Sequence, residues 1–139
     1  MTEVNAIAYN FDESSNIYTP LFNAFNEYSK ANGLNINAKF TLLTPNNSTS
    51  GLDTYSSFID QLLDRKSNKY DIYFYYGGYT SQYGEHFVDL NEYIPKKHLN
   101  FYKYDYLKQC NIYKNKLVGL VNIFFQYFYN YSKYCKKQI

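Results

Sequence analysis

The sequence predicts an α/β fold in which a mainly parallel sheet is flanked by helices. Apolar residues alternate in short runs, they recur at helical spacing between these runs, and turn residues separate the two patterns. The predicted order is therefore strand, helix, strand, helix, strand. Because this order joins parallel strands through right-handed crossovers, we expect the first strand to lie between the other two.

The first half of the pattern is a strand, a helix and a second strand. Residues 4–11 form the first predicted strand, and residues 18–31 have the spacing of an amphipathic helix. Thr19 is the expected N-cap, and Gly33 is expected to end the helix in a left-handed conformation. Residues 34–43 then alternate as a second strand.

The second half is less regular. A helix capped by Asp53 or Thr54 precedes a third strand at residues 70–76, which Gly77 and Gly78 should end. The remaining predictions are a short turn or helix within residues 87–95, a helix at 101–109, a strand at 117–121 and an aromatic strand at 124–131. The side chains of residues 124–131 are expected to be exposed and to make the protein sticky or dimeric.

The composition excludes several classes of function. The chain has 139 residues, enough for one domain, and its net charge of +2 gives no basic footprint for nucleic acid. No apolar stretch of membrane-spanning length occurs, and the first residues lack a signal-peptide pattern. Aromatic residues reach 22%, which codon bias largely explains, although tyrosines also suit a sugar-binding or protein-binding surface.

Catalytic and metal-binding signatures are missing from the sequence. It contains no nucleophile elbow, phosphate-binding loop or dinucleotide fingerprint. Glu85 and His86 could form an acid–base pair, but adjacent residues on one element face apart, which favours a surface role. Cys110 and Cys135 lack metal-site spacing, and the sequence leaves open whether they form a disulfide. We therefore expect a non-enzymatic protein without a metal or cofactor.

Polar and aromatic residues follow the three predicted strands. Ligands of open α/β sheets bind outside the carboxyl ends of the strands, so these residues are expected to share one surface. Carboxylates, amides and hydroxyls can hydrogen-bond a polar solute, tyrosine can supply a flat apolar face, and glycine admits close backbone approach. The predicted ligand-binding residues are Asn10, Asp12, Glu13, Thr44, Gly78, Tyr79 and Tyr83.

Five segments of the chain carry a family pattern, and in chain order they are residues 20–37, 62–73, 87–94, 111–120 and 129–133. They resemble motifs of the family 1 extracellular solute-binding proteins, which have a type II periplasmic-binding-protein-like fold. Residues 87–94, which read FVDLNEYI, are similar to the family pattern L-x-D-L-x-x-Y-I. The chain departs from the family pattern at Tyr70 and Val121, where the family usually has proline.

The resemblance implies that residues 1–139 are the first lobe of such a fold and form a single, incomplete solute-binding domain. Residues 122–139 would begin the hinge and the crossover toward a second lobe, with Asn122 and Phe124 in the hinge. It further implies an extracellular or cell-surface protein that binds a carbohydrate or similar polar solute, such as an oligosaccharide, and that works with a membrane transporter or receptor region. The alternatives are a ligand- or protein-sensing receptor ectodomain, in a fungal-type version of the family, and a degenerate truncated copy.

Overall fold

The computed structural model describes residues 1–10, 16–48, 52–102 and 110–120 of the chain. It divides into two compact units, of which the first is Met1–Tyr75 and the second begins at Tyr76. Several predicted features lie outside the described residues, namely the helix at 101–109 beyond its first two residues, the aromatic strand at 124–131 and the hinge residues Asn122 and Phe124.

The first unit has the predicted order of strands and helices. Its elements are β1 (Thr2–Tyr9), α1 (Tyr18–Ala31), β2 (Ile36–Leu43), α2 (Leu52–Asp64) and β3 (Ile72–Tyr73). The sheet order is β2-β1-β3, and both strand pairs are parallel. The α/β class with a parallel, helix-flanked sheet is therefore confirmed, as is the central position of β1.

The two faces of the sheet are buried by different side chains. On the α1 side, Phe40 stacks on Phe22 with ring centroids 4.6 Å apart, and Tyr18 contacts Phe40 and Phe74. Burial raises the pKa of Tyr18 above its ordinary value of 10.0, because the low-dielectric surroundings disfavour the charged form. On the α2 side, Tyr9 stacks on Tyr55 with centroids 5.6 Å apart. The alternation of side chains along each strand places these two groups on opposite faces.

The ends of α1 show one wrong prediction and one confirmed prediction. Thr19 does not cap the helix; instead Asn16 Oδ1 accepts a hydrogen bond of 3.1 Å from the Thr19 N–H. Because α1 already begins at Tyr18, Thr19 lies inside its first turn, and the side chain that accepts a hydrogen bond from this turn is that of the preceding Asn16. Gly33 has φ of +64°, and Leu34 N–H donates to the Ser29 carbonyl, so the predicted left-handed end is present.

The outer edge of β2 is covered by side chains of α1. Asn26 accepts from the Ala38 N–H at 2.7 Å and donates to the Ala38 carbonyl at 2.9 Å. Ser29 Oγ donates to the Ile36 carbonyl at 2.6 Å and accepts from the Ile36 N–H at 3.2 Å. The side chains of Asn26 and Ser29 thereby hydrogen-bond the outward backbone groups of Ala38 and Ile36, which a further strand could otherwise pair with.

The third strand is much shorter than the predicted residues 70–76. Only Ile72 and Tyr73 pair with β1. The Asp71 carboxylate accepts a hydrogen bond of 2.8 Å from the Asn5 N–H. In a longer ladder, a backbone carbonyl of β3 would accept this hydrogen bond instead. The side chain therefore ends the pairing at the start of the strand.

The described part of the second unit, residues 76–102 and 110–120, contains short helical turns and a β-hairpin. Its helices are α3 (Thr80–Tyr83) and α4 (Lys96–Leu99), with 3-10 turns at Gly77–Tyr79, Gly84–His86 and Leu90–Glu92. The strands β4 (Ile112–Tyr113) and β5 (Lys116–Leu117) pair antiparallel. The sequence pattern predicted a strand at 117–121 but missed this hairpin, whose turn residues Lys114 and Asn115 have φ of +46° and +68°.

Asp89 connects two parts of the second unit. Its Oδ1 accepts from the Asn91 N–H at 3.0 Å, from Asn91 Nδ2 at 2.9 Å and from the Leu117 N–H at 3.1 Å. The hydrogen bond from the Asn91 backbone is the main cause that lowers the pKa of Asp89 below its ordinary value of 3.8. A carboxylate thus fixes the Leu90–Glu92 turn to the β4–β5 hairpin.

We expect the second unit to lose stability in acid through Asp89. Because the folded-state pKa is lowered, the unfolded chain takes up the proton first, so the stabilisation is complete above the ordinary pKa of 3.8 and is lost as pH falls through the folded value. The protection factor of the Leu117 amide in hydrogen exchange, which corrects for the intrinsic pH dependence of the exchange rate, should therefore fall in that range. In Asp89→Asn the exchange should be faster at neutral pH and should lose this part of its pH dependence. An unchanged acid profile in Asp89→Asn would contradict the prediction.

Candidate functional site

Two of the predicted site residues lie side by side at the carboxyl ends of β1 and β2. Tyr9 and Leu43 are paired in the register, so Asn10 and Thr44 are the next residues along the two strands. The Asn10 N–H donates to the Leu43 carbonyl at 2.9 Å, which extends the ladder by one bond. Asn10 and Thr44 are therefore neighbours at the carboxyl edge of the sheet.

Thr44 is built into a turn. Only 5% of its surface is exposed. Its N–H donates to Asn47 Oδ1 at 2.7 Å, and Ser48 Oγ donates to its carbonyl at 2.7 Å. Asn47 Nδ2 also donates to the Leu42 carbonyl at 2.9 Å, so one side chain closes the turn against the strand end. Thr44 consequently shapes the end of β2, and little of it faces solvent.

Tyr55 joins β1 to β3 just below their carboxyl ends. Its hydroxyl donates to the Phe74 carbonyl at 2.7 Å and lies 3.3 Å from the Ile7 carbonyl. Its ring stacks on Tyr9, the last residue of β1, and the side chain is 4% exposed. A helix side chain therefore fixes the spacing of the two strands where their following loops begin.

The strand order identifies one position at this edge as the preferred place for a ligand. The chain passes from β1 to β2 on one side and then crosses to β3 on the other side. In open α/β sheets a crevice forms outside the carboxyl ends of two neighbouring strands where the order reverses in this way. Here these strands are β1 and β3, with Tyr9 and Asn10 at the end of β1 and Phe74 and Tyr75 after β3.

The structure does not describe the other predicted site residues together with this edge. Asp12 and Glu13 follow β1 but lie outside the described residues. Gly78, Tyr79 and Tyr83 belong to the second unit. A surface shared by all seven residues thus stays a prediction.

Tyr83 differs from the expectation of a ligand-facing side chain. It has no exposed surface, and its ring stacks on Tyr79 with centroids 5.6 Å apart and planes 18° apart. The adjacent Gly84 lies against Tyr113, where an added Cβ would be 2.4 Å from Tyr113 Cβ, so the chain packs closely around Tyr83. We therefore correct its role from ligand contact to packing.

Gly78 and Tyr79 take part in the same ring cluster. A Cβ on Gly78 would lie 2.6 Å from Cε1 of Tyr76, so the missing side chain makes room for a ring of the protein itself. Tyr79 packs edge-on against Tyr76 with centroids 6.2 Å apart, and it is half-buried. Both residues therefore have a packing role, and Tyr79 keeps some exposed surface.

Sequence reasoning missed Tyr9, Tyr55 and Phe74 as residues that organise the site. The pattern showed Tyr55 only as part of the apolar stripe of a helix. The feature of the sequence that could have indicated this role is the tyrosine hydroxyl at this position of the helix. A tyrosine in the first turn of a helix that follows a strand lies near the carboxyl edge of the sheet, where its hydroxyl can reach the ends of neighbouring strands.

The remaining chemistry is consistent with surface roles. His86 Nε2 lies 3.9 Å from Glu85 Oε1, which is too long for a hydrogen bond. Within the described ranges, no group of three or more His, Cys, Asp or Glu residues could hold a metal ion. None of the helices described here combines the length and the apolar character needed to cross a membrane.

Cys110 is disulfide-bonded, and the only other cysteine of the sequence, Cys135, lies outside the described residues.

No family model, curated protein or solved structure matches the chain. The function of the site is therefore inferred from the residues and geometry of the chain itself.

Proposed function

We propose that this chain is a solute-binding lobe that recognises a carbohydrate or similar polar solute without chemically changing it. The observation that carries the proposal is the reversal of strand order between β1 and β3, together with the polar residues that follow β1 in the sequence. By residue type, the Asn10 amide can donate and accept hydrogen bonds, and the carboxylates of Asp12 and Glu13 can accept them from hydroxyl groups. The lobe would belong to a type II periplasmic-binding-protein-like fold.

The proposal includes the setting in which the lobe would act. The disulfide at Cys110 supports an extracellular or cell-surface location, because disulfides persist in oxidising compartments. A membrane transporter or receptor region would then receive the bound solute or its signal. The hydrogen bond from the Tyr55 hydroxyl to the Phe74 carbonyl, just after β3, supports a binding edge that is ordered in advance, which lowers the ordering cost of binding.

Isothermal titration calorimetry with maltotriose, xylotriose and chitotriose tests this function. We expect saturable heat with at least one of the three, and Asn10→Ala should weaken that binding about fivefold, since one neutral hydrogen bond contributes about 1 kcal/mol. Asn23→Ala is the matched control, because Asn23 is an exposed amide on the middle of α1, and its affinity should be unchanged. Absence of binding to every probe by a folded protein would contradict the proposal.

A protein-sensing ectodomain is the second candidate. Among the described residues of the second unit, several large apolar side chains are exposed, including Val88 at 58%, Tyr93 at 67% and Phe101 at 71%. Exposed apolar and aromatic side chains are typical of protein contacts. Binding of a protein that Tyr93→Ala abolishes, together with no response to the trisaccharides, would favour this candidate.

A further inference from the structure

The helix α1 ends in the pair Asn32–Gly33, where the sequence has its one asparagine that is followed by glycine. Asn32 is the C-cap of the helix, and Gly33 follows it with φ of +64°. Glycine adopts this left-handed conformation without the strain that a Cβ would cause, so this way of ending the helix favours glycine after the cap. The same choice leaves a backbone N–H without a shielding side chain directly after an asparagine amide.

The surroundings of this pair are open. Asn32 and Gly33 are both exposed, and a Cβ added at Gly33 would meet no atom within 4 Å. The Gly33 N–H donates a long hydrogen bond of 3.4 Å to the Lys30 carbonyl. A weakly held backbone nitrogen beside an exposed side-chain amide is a nucleophile next to its electrophile, with space for a ring to form between them.

We propose that Asn32 is a site of spontaneous modification, at which the chain converts the side-chain amide to a carboxylate. The Gly33 nitrogen loses its proton to hydroxide and bonds to Asn32 Cγ, while the Cγ–Nδ2 bond breaks and the departing nitrogen takes a proton from water to leave as ammonia. Water then opens the resulting cyclic imide. Opening at Cγ gives aspartate, opening at the backbone carbonyl carbon gives isoaspartate, and nothing is oxidised or reduced.

The conformation of the helix end controls the rate of this reaction. Asn32 has ψ of 6°, which places the Gly33 nitrogen beside the Asn32 backbone nitrogen and away from the Asn32 side chain. Ring closure therefore needs a rotation about this bond, and the rotation breaks the hydrogen bond of 3.0 Å from the Leu34 N–H to the Ser29 carbonyl. Because helix ends fray at lower cost than helix interiors open, the reaction proceeds in the folded protein whenever the last turn of α1 opens.

The products weaken the end of α1. Asn32 Nδ2 donates a hydrogen bond of 2.9 Å to the Tyr28 carbonyl, which a carboxylate cannot donate. The new negative charge also lies at the helix C-terminus, where the helix dipole disfavours it. Isoaspartate adds an atom to the backbone, which displaces the Leu34 N–H from the Ser29 carbonyl. The modification therefore loosens the connection between α1 and β2.

Incubation of the folded protein at neutral to mildly alkaline pH, followed by proteolysis and mass spectrometry, tests the proposal. The peptide that contains Asn32 should gain the mass of an amide-to-acid conversion and contain isoaspartate as well as aspartate. Two exposed asparagines of the same molecule are the controls, Asn23 inside α1 and Asn68 in a turn before Lys69. Asn32 should react at least about tenfold faster than either, because Asn23 is held in a helix interior and the side chain after Asn68 hinders ring closure.

Charge and local order give independent readouts. The wild-type protein should accumulate a species whose net charge is one unit below +2, at a rate that rises with pH because the attacking nitrogen must lose its proton. Asn32→Gln keeps the amide but needs a larger, slower-forming ring, so this species should form more slowly in the variant. In the isolated isoaspartate form, the hydrogen-exchange protection of the Leu34 amide should be lower than in the unmodified protein.

Four results would each overturn the proposal. They are equal rates at Asn32 and the two control asparagines, a rate at Asn32 that does not rise with pH, an equally fast loss of charge in Asn32→Gln, and unchanged protection of the Leu34 amide in the isoaspartate form.

Discussion

Replacing Tyr83 by alanine is expected to lower the free energy of unfolding of the second unit by about 3–5 kcal/mol, the usual cost of truncating a buried aromatic side chain. Tyr83 has no exposed surface, and its ring stacks on Tyr79. The loss therefore combines apolar burial, the ring contact and the cavity that remains. Denaturant unfolding followed by amide hydrogen exchange of the second unit measures the change.

Tyr93→Ala is the matched control for this substitution. It removes the same side chain from a position in the second unit that is 67% exposed, so its effect on unfolding should stay within about 0.5 kcal/mol. Equal small effects of both substitutions would show that Tyr83 is not a packing residue. They would also restore the sequence-based expectation that its ring faces a ligand.

Removing the two α1 side chains that cover the edge of β2 is expected to have the second largest effect. Asn26→Ala and Ser29→Ala should each lower the free energy of unfolding of the first unit by about 1–3 kcal/mol, the cost of leaving buried backbone groups without partners. Asn26 makes two hydrogen bonds to Ala38, and Ser29 makes two to Ile36. Chemical denaturation monitored by circular dichroism gives the values.

Two controls separate the edge contacts from the helix itself. Asn23→Ala removes an exposed amide from the same helix and should leave stability unchanged or slightly raised, because alanine has the higher helix propensity. Hydrogen exchange at the Ala38 amide should increase in Asn26→Ala before the rest of β2 responds. If Asn23→Ala destabilised as much as Asn26→Ala, helix propensity and not the edge contacts would explain the loss.

The elements of the first unit that follow from local chemistry could be predicted from the sequence. The alternation in β1 and β2, the apolar spacing in α1 and the glycine at position 33 each depend on a few neighbouring residues. The extent of β3 could not be predicted, because the Asp71 carboxylate ends its pairing through a contact with distant Asn5. The β4–β5 hairpin was missed because Lys114 is an unfavourable residue for positive φ.

The adjacency of Asn10 and Thr44 at the candidate site could be predicted, but the packing of the tyrosines could not. Topology placed Asn10 and Thr44 together, since the carboxyl ends of parallel strands meet at one edge. Whether a tyrosine is buried or faces solvent depends on the orientation of its helix. The position of Tyr83 after a glycine pair does not reveal that orientation, and the side chain is in fact buried. The role of Tyr55 depends on a hydroxyl reaching across two strands, which no local pattern contains.

The covered edge of β2 has a consequence for self-assembly into fibrils. Residues 36–43 read INAKFTLL, an eight-residue segment rich in β-forming residues, with Lys39 as its one charge and without proline or glycine. Segments of this kind stack into cross-β structure when their backbone groups become available to another chain. The amide of Asn26 and the hydroxyl of Ser29 already occupy the outward groups of Ala38 and Ile36. We therefore expect fibril growth from this segment to depend more on how often α1 transiently detaches than on the overall stability of the protein.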